Sequence, residues 1–433
     1  MNTSLRASRV VVVAVGLLLA LVLSACGSAS SGAGGGTGAS SPTVPATAGG
    51  GSSGSGSVSG SGSGSGSAPA GSGTATAGAP TTAPPTAPPG AVPPGGPVPD
   101  GFAATSVTFV SPREAFVLGT APCADAPCTS IVRTLDRGVS WRGLPAPVVP
   151  LGNPQTGTAG PVAWGIRFAD PDVGFVFGNG LWETTDGGER WVSAAAPGGS
   201  IISLAVIDGQ VLALTTGCKQ DVGCGQTGTL LRRPLAGGAW RMVTEVLNPS
   251  AIATQARVAA VLQGTSVLVT ANGGRTTVKY ATPCATPGVA VASSVAVTGP
   301  DGLALLCAGN AGMGSVDKTV YVSEDLGAHW TQAGSPPRGG DPVSSSAATP
   351  ARLVVAAASG ASELYYSGDG GAQWSTAYYA GDGGQGFGDL GFTSATDGVV
   401  IHGPVFTDSN AEGSPGQLLL TSDGGASWQL VSF

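Results

Sequence analysis

The chain has 433 residues, of which Gly (73) and Pro (33) supply about a quarter and charged side chains only 10%. Without Arg6 and Arg9 of the first 25 residues, 16 basic side chains face 25 acidic ones, a net charge of −9. Such an acidic, lysine-poor chain is a poor electrostatic match for phosphate backbones, so nucleic acid is excluded as an expected partner.

At the N-terminus Arg6 and Arg9 precede an apolar run from Val10 to Val22, followed by Leu23-Ser24-Ala25-Cys26. The run is short for a bilayer span but suits the hydrophobic segment of a signal peptide. Its ending resembles a bacterial lipobox, which implies cleavage after residue 25 and acylation of Cys26. An ordinary signal peptide with a chance cysteine is the alternative. No later apolar stretch is long enough to cross a bilayer. The expected location is therefore extracytoplasmic, on the outer face of the bacterial cell membrane, held by lipid, where several acyl chains on one cysteine anchor stably.

Residues 26–100 read as a tether. Between Gly27 and Asp100 the only charge is Asp100 itself, with a Gly/Ser half through Gly73 and a Pro/Ala/Thr half after it. As a coil this length reaches roughly 45–50 Å, the proline half being the stiffer. Nothing in it can build a core.

From residue 101 the chain repeats a Ser/Thr-x-Asp-x-Gly-x-x-Trp box. Five copies are clean: Thr134-x-Asp136-x-Gly138-x-x-Trp141, Thr184-x-Asp186-x-Gly188-x-x-Trp191, Ser323-x-Asp325-x-Gly327-x-x-Trp330, Ser367-x-Asp369-x-Gly371-x-x-Trp374 and Thr421-x-Asp423-x-Gly425-x-x-Trp428. Two decayed copies end at Trp240 and Thr277, and the steps between box ends are 50, 49, 37, 53, 44 and 54 residues. Alternating apolar runs separated by Gly-rich corners precede the boxes, as in Gly165–Gly178 followed by Gly180–Thr185. Four short strands per repeat without helical periodicity point to an all-β, single seven-bladed β-propeller over 101–433, with six or eight blades as alternatives. The box belongs in the turn between the third and fourth strands. There Asp accepts turn N–H groups, Gly supplies a positive φ, and Trp slots between blades.

Setting Cys26 aside leaves six cysteines. Spacings of five and six predict Cys123–Cys128 and Cys218–Cys224, and elimination pairs Cys284 with Cys307. Zinc is a poor fit to these spacings, with only His329 and His402 available, so no metal and no cofactor are expected.

The boxes resemble the Asp-box, or bacterial neuraminidase repeat, across essentially all of 101–433. The Phe168-x-Asp170-x-x-x-Gly174-Phe175 element is most similar to the photosystem II assembly/stability factor-like branch. That resemblance implies a non-enzymatic propeller that binds membrane proteins. The more distant exo-sialidases imply an arginine triad, a Tyr–Glu nucleophile pair and an Asp acid/base. Here the early Arg-Ile-Pro element is absent, and Arg113, Arg167, Arg257 and Arg338 show no triad spacing. Glu363 is the only glutamate near Tyr365-Tyr366 and Tyr378-Tyr379. No catalytic residue is carried over.

In this strand order all three disulfides fall on the face opposite the boxes. That face is the expected partner surface, with Trp164, Arg338, Tyr378 and Tyr379 as exposed contacts. The expected function is a monomeric, lipid-anchored scaffold for a membrane or cell-envelope protein. The alternative is a glycan-binding or glycoside-hydrolysing surface propeller.

Overall fold

The computed structural model describes residues 96–123, 128–152, 160–219, 223–284, 291–403 and 416–433, the side chains of 218–219 and 223–225 excepted. The expected signal peptide, Cys26 and most of the tether lie outside these residues. Within them there is no helix, and the strands form seven four-stranded antiparallel sheets. Each sheet uses four consecutive strands, and blades 1 to 7 span 103–144, 163–193, 200–247, 252–281, 291–334, 341–380 and 387–430. First strands of successive blades touch all the way round, blade 7 with blade 1 included. They therefore line the channel of a closed ring, and seven blades is the observed number. Among the described residues no strand is exchanged across the closure.

Second strands are buried on both faces, as in Ala115–Ala121 and Gly174–Gly178, because a neighbouring blade covers each side. The core is divided accordingly into seven apolar clusters, one per blade junction. Six of these include a box tryptophan packed against the preceding blade: Trp141, Trp191, Trp240, Trp330, Trp374 and Trp428. The junction of blades 3 and 4 has none, matching Thr277 at the end of the decayed box, and is filled by Leu212, Leu214, Leu230 and Val261.

The box turn repeats one hydrogen-bond pattern. In blade 1 the Thr134 hydroxyl donates to Asp136 Oδ1 (2.8 Å) and accepts from Gly138 N (2.9 Å), while Ser140 N donates to Asp136 Oδ1 (2.9 Å). Gly138 sits at φ 82°, a conformation in which a Cβ would be strained. Blade 4 keeps the pattern with an amide, since Thr276 N donates to Asn272 Oδ1 (2.9 Å) and Gly274 N to Thr270 Oγ1 (2.9 Å). The local geometry thus needs an acceptor at this position and no charge.

The charge has a separate consequence. Hydrogen bonds from the His329 backbone and side chain and from Ser323 hold the Asp325 carboxyl down at about 2, and Asp136, Asp369 and Asp423 are also lowered. A depressed folded-state pKa stabilises the fold fully above the ordinary aspartate range and loses that stabilisation as pH falls through the folded value. The thermal midpoint is therefore expected to drop between about pH 4 and pH 2. Asp325→Asn is expected to fold, as Asn272 does in its own turn, and to show a shallower acid limb. Thermal melts followed by circular dichroism across that range check this.

Closure of the ring uses hydroxyls on the first strands. Ser106 accepts from Ile166 N (3.1 Å) between blades 1 and 2, Ser203 from Ile252 N (3.1 Å) between blades 3 and 4, and Ser294 from Ser345 N (2.9 Å) between blades 5 and 6. Between blades 7 and 1 a carboxylate takes this part. Asp389 Oδ2 accepts from Val107 N (2.8 Å) and the Ser106 hydroxyl (2.6 Å), and Oδ1 accepts from Arg167 Nη2 of blade 2 (2.6 Å). One side chain thereby joins three blades. Asp389 pays with a left-handed φ of 50° beside a bulge in its strand.

Candidate partner-binding face

Antiparallel order puts the box turns and first-to-second strand turns on one face. The second-to-third strand turns and the blade crossovers occupy the other, called here the crossover face. Cys123–Cys128 closes the second-to-third turn of blade 1, and Cys284–Cys307 ties the crossover between blades 4 and 5 to the second strand of blade 5. Cys218 and Cys224 stand opposite each other in the register of blade 3, and their side chains lie outside the described residues. Both described bridges are therefore on the crossover face.

Among the described residues twelve large apolar side chains are exposed, and six of them lie on this face: Val148, Leu247, Val291, Met313, Val343 and Tyr379. Four of the six belong to blades 5 and 6. Met313 is fully exposed at the tip of the long hairpin made by Leu303–Gly312 and Ser315–Ser323. Nothing in a Gly-Met-Gly turn requires an apolar side chain, which is the signal that could have marked it in the sequence.

Arg338 stands in the crossover between blades 5 and 6, exposed, and paired with Asp317 at 2.7 Å. Its loop is clamped from below. Lys318, 2% exposed, donates from Nζ to the carbonyls of Val316 (3.1 Å), Pro337 (3.2 Å) and Gly339 (2.5 Å). Burial lowers the Lys318 pKa, with the nearby Glu363 opposing the shift. The two residues flanking Arg338 are thus fixed by one buried ammonium, so the guanidinium is presented on an ordered loop.

Two of the four expected contacts are placed differently. Trp164 is buried between blades 2 and 3, its indole N–H bonded to Ile201 O (2.9 Å). It lies at a bulge of its first strand, where the side chain turns into the junction. Tyr378 is half-buried, and its hydroxyl meets His402 Nδ1 at 3.2 Å. His402 Nε2 meets Asp382 Oδ2 (2.8 Å), and Asp382 also accepts from the Ser362 hydroxyl (2.8 Å) and Gly384 N (2.9 Å). This network fixes the crossover between blades 6 and 7. The fully buried Ser362 bonds to the carboxylate and not to the imidazole, so the hydroxyl–imidazole contact of a Ser–His nucleophile pair is not formed. Tyr379, 64% exposed, and Arg338 remain on the surface.

Sialidase-like chemistry would need arginines converging on the channel. Arg167 is the only basic residue in the seven first strands, and Asp389 neutralises it. A Tyr–Glu pair does exist, with the Tyr365 hydroxyl donating to Glu363. It lies on the third strand of blade 6, between blades 5 and 6, with Lys318 beside it and the Arg338 loop packed over it at Gly339. Tyr365 is 1% exposed and burial raises its pKa, which opposes a nucleophilic role. No cluster of metal-ligating side chains occurs among the described residues.

The chain matches no family model and no curated protein in sequence. Its likeness is to solved structures. YCF48 from Cyanidioschyzon merolae aligns over 76% of this chain and 98% of that one, at 14% identity and a TM-score of 0.50. The chain is a seven-bladed β-propeller. A structure of YCF48 bound to D1 peptide is also similar (17% identity, TM-score 0.49, 75% of this chain and 95% of that one). So is a GH74 xyloglucanase from Xanthomonas campestris (14% identity, TM-score 0.38, 76% and 72%). Identities this low speak for the fold alone, which hosts unrelated activities.

Proposed function

We propose that this protein is a lipid-anchored extracytoplasmic scaffold that binds a membrane or cell-envelope protein through its crossover face. The lipobox-like Cys26 and the uncharged tether support the anchoring, and both Asp-box resemblance and propeller fold are compatible with an assembly role. The observation that carries the binding reading is that Met313, Val343, Val291 and Tyr379 of blades 5 and 6 are exposed on the same face as the clamped Arg338. Exposed apolar and aromatic anchors beside an ordered arginine are what a protein interface uses for its central contacts. A disulfide-stiffened face also loses less entropy on binding.

The test is affinity capture of the tagged full-length lipoprotein from detergent-solubilised membranes. One stoichiometric protein partner is expected, with capture reduced at least about tenfold by Met313→Asp or Tyr379→Ala. Val139→Asp, on the box face, is expected to leave capture intact. Capture that survives both crossover-face changes, or that fails only with Val139→Asp, would overturn the assignment of the face. Capture of no protein would count against the scaffold and favour a glycan ligand.

A further inference from the structure

The seam between blades 7 and 1 holds a concavity of about 250 Å³ on the box face, away from the proposed partner surface. Its lining combines apolar Phe109, Pro112 and Leu420 with Arg137, Asp397 and Ser422. Two of these groups are incompletely used. Asp397 Oδ2 accepts from the hydroxyls of Ser394 (2.6 Å) and Thr396 (3.1 Å), whereas Oδ1 is buried with no hydrogen bond. The Arg137 guanidinium lies 3.4 Å from that oxygen, half-exposed, and among the described residues makes no hydrogen bond.

Arg137 is also an unexpected residue for its place. It occupies the box position between Asp and Gly, which is glycine in blades 2, 4, 6 and 7 (Gly187, Gly273, Gly370 and Gly424), all at positive φ. Arg137 adopts φ 68° there despite its Cβ, as does Leu326 of blade 5 at φ 58°. The conformation is costly for residues other than glycine, asparagine or aspartate. Leu326 is packed into a blade junction, and Arg137 is not. Its contact with Asp397 is too long to explain the choice, because a good Arg–carboxylate pair is closer and hydrogen-bonded. A cation and a carboxylate oxygen joined only by this long contact, without a hydrogen bond, therefore border the same half-apolar cavity.

We infer that this seam cavity binds a small zwitterion, an apolar α-amino acid or a short apolar peptide. The ligand's ammonium donates to Asp397 Oδ1, its carboxylate meets the guanidinium of Arg137, and its side chain packs on Phe109 and Leu420. Without ligand, Arg137 shields Asp397 loosely. With ligand, each charged group exchanges this long contact for a hydrogen-bonded partner.

Isothermal titration of the full-length protein tests this with L-leucine and glycyl-leucine as probes. Leucinamide, without the carboxylate, and N-acetyl-leucine, without the ammonium, are the controls. At least one zwitterion is expected to bind, and each control to bind at least about tenfold more weakly. Arg137→Gly is expected to weaken zwitterion binding by a similar factor while leaving the thermal midpoint unchanged or raised, because glycine relieves the backbone. Asp397→Asn is expected to weaken it as well. Absence of heat with both zwitterions at millimolar concentration overturns the inference, as does equal binding of the controls or undiminished binding by Arg137→Gly. The partner-capture result bears on none of these outcomes.

Discussion

Asp389→Asn is expected to lower the unfolding free energy by about 3 kcal/mol, the small end of the range for breaking a buried ion pair. The small end applies because Arg167 and Asp389 retain 28% and 18% of their side-chain exposure, so solvent screens part of the interaction. Asparagine tolerates the left-handed φ of 50° at this position, so the change removes the charge without adding backbone strain. Burial alone would raise the Asp389 carboxyl. The Arg167 charge and the donors Arg167, Ser106 and Val107 outweigh burial, and the net shift is downward. This contribution is therefore complete above the ordinary aspartate range and is lost as pH falls through the lowered folded value. Guanidinium titrations of the wild type, Asp389→Asn, Arg167→Gln and the double variant measure it. An additive double-variant cycle would show that the clasp across blades 7, 1 and 2 does not hold the seam.

Trp141→Ala is expected to cost about 3–4 kcal/mol, since truncating a buried tryptophan forfeits its burial and leaves a cavity. Trp141 is 9% exposed, belongs to the cluster between blades 7 and 1, and packs on the C-terminal Phe433 with ring centroids 5.1 Å apart. Its indole donates to Gly138 O within its own box (3.2 Å), so the residue ties the turn to the seam. Trp330 supplies the contrast. Its indole N–H is buried without an acceptor, so Trp330→Phe removes an unsatisfied donor and is expected to cost less than about 1.5 kcal/mol. Far-UV circular dichroism during chemical unfolding checks both without relying on tryptophan fluorescence. Equal losses for Trp141→Phe and Trp330→Phe would show that burial of the ring alone, and not the donor's partner, sets the energetics.

The Cys123–Cys128 bridge and the turn geometry were legible because their physics is local, whereas Cys284–Cys307, 23 residues apart, followed by elimination. Thr134, Asp136, Gly138 and Ser140 satisfy one another within seven residues, and Cys123 and Cys128 are five apart. Such contacts impose their spacing on the chain directly, and counting the spacings yields the number of blades. Trp164 misled for the opposite reason. Its alternation reads correctly only once the bulge beside Gly165 is known, and that bulge turns its ring into the junction with blade 3.

The candidate surfaces were legible only in outline. Strand order alone places the disulfides and Arg338 on the crossover face. That Lys318 clamps the Arg338 loop, that Tyr378 turns inward to His402, and that Met313 stands exposed at a hairpin tip on the same face depend on how the sheets assemble. The seam shows the limit most clearly. Asp389 meets Val107 and Arg167 across 282 and 222 residues of chain, and Arg137 faces Asp397 across a comparable interval. No periodicity in a sequence encodes which side chains become neighbours when the first and last blades close on each other. By itself the sequence determined the repeat, the turn, the blade number and the side on which the staples lie. Closure of the ring decided the rest, because only closure sets the distances and the burial that give an aspartate, an arginine or a lysine its role.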